Sequence, residues 1–157
     1  MSKCKSFAPA INENSKILIL GSMPGIKSLQ EAQYYAHPQN RFWKVMSVLC
    51  STDMVSMNYQ DRIQTLLNNN FALWDVIKSC SREGSLDSAI ENEKPNNIKS
   101  ILKKYPNIKT IYLNGNKAYS AFKKHFPEYL HLCKKMPSTS PANARFQMEA
   151  LLKEWQL

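Results

Sequence analysis

A three-layer α/β sandwich, with a central, mainly parallel sheet of about four strands, is the fold class that this sequence predicts. Three observations lead there. Residues 16–21, KILILG, form a short uninterrupted apolar run closed by glycine, the pattern of a strand buried on both faces. Further short apolar runs alternate with segments of helical period. The chain of 157 residues is 43% hydrophobic and 21% charged, ordinary for a globular protein. It has no repeat, linker or low-complexity tract, so 1–157 reads as a single domain able to bury roughly two thirds of its unfolded surface.

Three further strands are expected, at Phe71 to Ile77, at Thr110 to Leu113 before Asn114 and Gly115, and at Leu130 to Cys133. Helices are expected around Ile63, Leu66 and Leu67. Another runs over Ile98, Ile101, Leu102 and Tyr105, with Pro95 at its opening. The last helix is expected to start with Ser140 as cap and Pro141 in its first turn. Its buried stripe is Met148, Leu151, Leu152 and Trp155, at i, i+3, i+4, i+7. Residues 81–97 are the one long polar stretch.

Composition removes several function classes. No window approaches the run of about 18 apolar residues that a membrane helix requires. The amino terminus carries no secretory pattern, so a soluble, cytoplasmic protein is expected. Cys4, Cys50, Cys80 and Cys133 lie too far apart to form the close pairs of zinc or iron–sulfur sites and read as free, mostly buried thiols. No metal, iron–sulfur cluster or other cofactor is expected.

Charge is uneven. The net charge is +9, and residues 99–157 hold eleven of the 21 Lys and Arg but three of the 12 Asp and Glu. Such a one-sided field suits a polyanion, and a lysine surface kept for solubility has the same composition.

In a parallel α/β sheet, ligands bind beyond the carboxyl ends of the strands. Three such places stand out. After the first strand comes Gly21-Ser22-Met23-Pro24-Gly25, a rigid turn through which backbone can approach a ligand, although turns like it close many strands. Tyr34, Tyr35, His37 and Asn40 follow within one connection: Tyr35 offers a stacking face, Asn40 an amide able to direct a water, and His37 a lesser site candidate. The second place is Leu73-Trp74-Asp75-Val76 with Cys80 to Ser88, either the pocket mouth or a strand end plus helix cap. The third joins Asn114, whose amide could read a base edge, to the loop from Pro137 to Asn143. Lys134 and Lys135 lie just ahead of that loop, placed to touch phosphate.

The pattern Gly-x-x-Pro-Gly, then an aromatic, then His-Pro-x-Asn-x-Phe-Trp resembles motif one of the uracil-DNA glycosylase superfamily. It is similar to the mismatch-specific uracil glycosylases and, more closely, to the hypoxanthine (deoxyinosine) DNA glycosylases called family six. The mismatch-specific branch carries its catalytic asparagine where Met23 stands here. In the hypoxanthine branch the catalytic amide is the asparagine of His-Pro-x-Asn, which maps onto Asn40.

The serine-rich loop resembles motif two, which grips the DNA backbone and wedges a side chain into the gap left by a flipped nucleotide. That implies DNA contacts from Ser138, Thr139, Ser140, Ala142 and Asn143. The motif's usual histidine is missing, with Met136 or Ser138 about in its place.

The resemblance implies a monomeric, monofunctional DNA glycosylase of base excision repair that acts on damaged DNA and leaves an abasic site. Gly21, Ser22, Met23, Pro24, Tyr35, His37 and Asn114 would hold the base, and Asn40 would position the attacking water. Two alternatives share these residues: a uracil or thymine mismatch glycosylase, and a non-enzymatic domain that binds nucleotides or single strands.

Overall fold

The computed structural model describes residues 2–156. Its central sheet holds four parallel strands, β2 (Ile17–Gly21), β3 (Phe71–Asp75), β6 (Thr110–Asn114) and β7 (Cys133–Met136), in the order β3-β2-β6-β7. β2 is central, pairing Ile19 with Leu73 on one side and with Tyr112 on the other. Successive side chains of a strand point to opposite faces. Leu18 and Leu20 therefore enter one apolar core, with Ala118, Ala121 and Phe122 of α5 (Asn116–His125) and Ile98 of α4 (Ile98–Lys104).

Ile19 enters a second core on the other face. It packs there with Phe42, Trp43, Val45 and Met46 of α2 (Phe42–Leu49), Leu66 of α3 (Tyr59–Asn68), and Leu151 and Trp155 of α6 (Met148–Trp155). Two cores on the two faces of one parallel sheet make the expected three layers.

Five details differ from the sequence expectation. The apolar run from Phe71 to Ile77 is two strands, because the chain bends at Val76. β3 stays in the parallel sheet, while β4 (Ile77–Ser81) joins a second, antiparallel sheet of order β1-β4-β5, with β1 (Lys3–Lys5) and β5 (Glu91–Pro95). The polar stretch thus conceals a strand: β5 is an edge strand with a largely exposed, alternating surface.

The fourth parallel strand lies later than expected. Residues Pro127–Leu132 form a 3-10 helix whose Leu130 and Leu132 pack on the first core, and that spacing of two mimics a strand. Pro95 ends β5, and α4 is capped by Asn97, whose side chain accepts from the Ser100 N–H at 3.1 Å. Ser140 and Pro141 do not open the last helix, which begins at Met148. Of its expected stripe Leu151 and Trp155 are buried, and Met148 and Leu152 pack at the margin.

Candidate functional site

The carboxyl ends of β2, β3 and β6 open into one cleft of about 1010 Å³. Its wall collects the turn from Gly21 to Gly25 with Tyr35, His37, Asn40, Asp75, Asn114 and residues 137–143. Segments more than a hundred residues apart meet there because β2 and β6 are neighbours in the sheet. Ser85, Leu86, Asp87 and Ser88 also line the cleft, so the segment after β4 forms part of its mouth; no side chain there caps the short 3-10 helix at Asp87–Ala89.

The first turn is packed from beneath. A Cβ on Gly21 would lie 2.7 Å from Asp75 Oδ1 and 3.2 Å from the Tyr35 hydroxyl, so this position admits no side chain. The turn is also strapped to the loop after β4. The Ser22 hydroxyl donates to Asp87 Oδ1 at 2.6 Å, the Ile26 N–H donates to Ser85 Oγ at 2.8 Å, and the buried Arg82 guanidinium donates to the Pro24 carbonyl. Met23 is buried in the first core and presents no polar atom other than its backbone.

Asn40 sits at the entry to α2. Its side-chain Oδ1 accepts from the Phe42 N–H at 2.9 Å, and its own N–H donates to the His37 carbonyl at 3.0 Å. The first bond fixes the plane of the carboxamide and leaves one Oδ1 lone pair and the Nδ2 hydrogens to act outward. His37, exposed, accepts from the Gln39 N–H through Nδ1 at 3.1 Å.

Tyr35 has a left-handed φ of 55° and stacks on Phe42, with ring centroids 3.9 Å apart and planes at 16°. One ring face is therefore taken up by the core. Its hydroxyl accepts from Asn114 Nδ2 at 3.2 Å. Tyr34 is structural: its hydroxyl donates to the Ala8 carbonyl at 2.8 Å.

Asn114 ties the cleft together. Its Nδ2 also donates to Thr139 Oγ1 at 3.1 Å, and its Oδ1 accepts from the Thr139 N–H at 3.1 Å. Most of that amide is thus spent on protein. Next to it, Gly115 has a φ of 100°, and a Cβ there would press to 3.1 Å on Ser138 Cβ.

The loop from Pro137 to Asn143 is largely bonded to itself. Ser138 Oγ accepts from the Ser140 N–H, Ser140 Oγ from the Ala142 N–H, and Asn143 Nδ2 donates to the Ser138 carbonyl. Arg41, which no property of the sequence singles out, organises it: the guanidinium donates to the carbonyls of Ser140 at 2.9 Å, Asn143 at 3.2 Å and Phe146. The only local sign was an arginine inside the motif-one pattern.

Basic side chains are sorted by the fold. Lys135 and Arg145 line the cleft, whereas Lys134, adjacent on the edge strand β7, is not in its wall. Lys117 also lines it but is paired with Glu93 at 2.5 Å, as is His125 at 3.0 Å.

Asp75 is the unusual acid. It is 4% exposed, its Oδ2 has no hydrogen-bond partner among the described residues, and its pKa is pushed up to about 7. Desolvation is the main cause and the charge of Asp87 adds to it, while Arg82 pulls the other way. Burial also raises the Tyr34 and Tyr35 hydroxyls, which stay neutral. Among the described residues no group of three His, Cys, Asp or Glu could hold a metal ion, and no helix is long and apolar enough to cross a membrane.

A parallel α/β sandwich with a cleft at its strand ends is the frame of many ligand-binding enzymes, and comparison with known proteins places the chain. The family model of the Uracil DNA glycosylase superfamily matches residues 8–156, and the chain belongs to that superfamily. Two relatives are both named hypoxanthine DNA glycosylase. The one from Methanosarcina barkeri is 42% identical over 116 residues, 74% of this chain and 73% of its own. The one from Methanosarcina acetivorans is 37% identical over 142 residues, 90% and 89% of the two chains. A solution NMR structure of a candidate uracil DNA glycosylase from Methanosarcina acetivorans superposes with a TM-score of 0.87 at 35% identity, covering 99% of this chain and 95% of that one.

Proposed function

We propose that this protein is a monofunctional DNA glycosylase that hydrolyses the N-glycosidic bond of hypoxanthine in deoxyinosine and leaves an abasic site. The carrying observation is the convergence of Asn40, the first turn and the loop from Pro137 to Asn143 on one cleft, in a chain whose two relatives bear that name.

A base inside a duplex is out of reach, so the nucleotide must be extruded, at a cost of a few kcal/mol that is smallest for a poorly paired base. In the cleft the base would lie between the turn at Ser22 and Met23 and the Tyr35 side. Bond cleavage builds positive charge on the sugar and negative charge on the departing base. Backbone amides at Ser22 and Met23 would hydrogen-bond that base, and Asn40 would direct the water onto the sugar carbon. Asn114 would act by holding Tyr35 and Thr139 in register. Among the described residues the partly buried lysine of the cleft, Lys117, is held as an ion pair by Glu93 rather than desolvated alone in the way that Schiff-base chemistry requires, so hydrolysis is the reaction assigned.

The test is a set of duplexes, each with one modified base, scored for alkali-labile abasic sites. Hypoxanthine opposite thymine or cytosine is expected to be released fastest. The name of the NMR relative favours uracil as the second reading, and faster release of uracil in every pairing would establish it. Release of no base from any duplex would leave only a nucleic-acid-binding role.

Binding to undamaged duplex is expected to weaken steeply with salt, since neutralising Z phosphates gives a slope near −0.9Z in log K against log salt. Replacing Lys135 and Arg145 together should make the slope shallower by about 2, whereas Lys134→Ala, outside the cleft, should leave it unchanged. An unaltered slope in the double variant would remove this rim from the DNA contact.

A further inference from the structure

Large apolar side chains are exposed at four places among the described residues: Ile26, Val48, Val55 and Leu86. A single exposed leucine needs no explanation. Here, however, Leu86 at 59% and Ile26 at 45% both line the cleft, on two segments joined by the bond from the Ile26 N–H to Ser85 Oγ. They form one apolar rim.

The rim is held firmly. Leu86 stands between two anchored neighbours, Ser85 bonded to the Ile26 amide and Asp87 bonded to the Ser22 hydroxyl at 2.6 Å. Arg82, four residues earlier, is buried against the Pro24 carbonyl. Leu86 thus projects from a loop tied to the first turn itself.

The part of the rim built by the Pro137 to Asn143 loop has different chemistry. From Pro137 to Asn143 the exposed apolar side chains are Pro141 and Ala142, neither long enough to reach into a base stack; the side chains of Ser138, Ser140 and Asn143 are bonded within the loop, and that of Thr139 is held by Asn114. With Lys135 and Arg145 beside it, that rim suits phosphate. Extrusion of a nucleotide leaves a gap between unstacked bases, and proteins that open a stack fill such gaps with apolar wedges.

We propose that Leu86, backed by Ile26, is the wedge that enters the duplex and fills the gap left by the extruded nucleotide. This assignment rests on the glycosylase reading. It departs from the expectation that the Pro137 to Asn143 loop carries the wedge, and it gives the segment after β4 a role in substrate opening.

The test compares deoxyinosine paired with cytosine in a continuous duplex against deoxyinosine in an unpaired bubble of the same duplex, under single-turnover conditions. Leu86→Ala is expected to slow release from the paired site on the order of tenfold, the scale of one lost leucine contact, and to leave release from the bubble within about twofold. Leu86→Met should restore the paired-site rate. Equal losses on both substrates, or none on the paired site, would overturn the wedge while leaving the glycosylase reading intact. Wild-type protein that releases base from neither substrate would sink that reading, and the wedge with it.

Discussion

Replacing Asn40 with alanine is expected to slow single-turnover release of hypoxanthine by ~10²–10³, the loss of about 2.7–4 kcal/mol that follows removal of one preorganised partner of a transition state. The structure adds a complication. Asn40 also accepts the Phe42 N–H at the start of α2, so the alanine variant should lose about 0.5–1.5 kcal/mol of stability as well. Asn40→Ser separates the two roles. A serine hydroxyl can accept the same amide bond, but it lacks the carboxamide that would direct the water. The serine variant should unfold within a few tenths of a kcal/mol of wild type, bind duplex with unchanged affinity, and still be slowed by ~10²–10³. Release at the wild-type rate by Asn40→Ser would confine Asn40 to its bond with the Phe42 N–H. Asn114 would then be the next amide to test, although its donors are already engaged by Tyr35 and Thr139.

The stability of the folded protein should fall between about pH 4 and pH 7 because of Asp75. Its carboxyl has a folded pKa of about 7 against an ordinary 3.8, raised first by desolvation and then by Asp87. In that window the folded chain holds a proton that the unfolded chain has released, so unfolding sheds protons and the slope of stability against pH is negative. The contribution is fully present below about pH 4, declines by up to about 1.4 kcal/mol per pH unit, and is lost above about pH 7. Arg82 opposes the shift, and Tyr34, Tyr35 and Tyr59, all raised, carry no charge in this window. Asp75→Asn keeps the shape of the side chain and removes its titration. Urea midpoints measured at pH 5 and pH 8 should drop more steeply for wild type than for this variant. Parallel pH dependences would show that Asp75 is ionised throughout, with its charge balanced by the environment.

Recognition of the site ran ahead of its geometry. Asn40 was legible as an amide able to direct a water, but its catalytic assignment came from the motif-one resemblance, since an asparagine near a helix start also reads as an exposed first-turn residue, and its side chain does accept the Phe42 N–H there. Asn114 was legible as a polar residue at a strand end, but a strand end does not disclose that Tyr35 and Thr139 take up its hydrogens. The segment with Ser85 and Asp87 read as the pocket mouth or a helix cap, and nothing local links these two residues to Ile26 and Ser22, about sixty residues earlier in the chain. Arg41 lay inside the recognised pattern, yet its carbonyl partners are about a hundred residues further along.

Local periodicity was enough to determine the class of fold, the faces of α3 and the buried stripe of the last helix, because those depend on which side chains recur within one or two turns of chain. It also pointed to the strand ends as the candidate site, because parallel α/β sheets bind ligands beyond the carboxyl ends of their strands. It misread the run from Phe71 to Ile77 as one strand and overlooked β5, because a bend at Val76 and an edge strand's exposed surface leave no apolar period to detect. Tertiary contact alone decided which polar groups in the cleft are committed to protein and which are left open to it. A hydrogen bond is made or lost over a few tenths of an ångström, and only the packed approach of distant segments sets distances that finely.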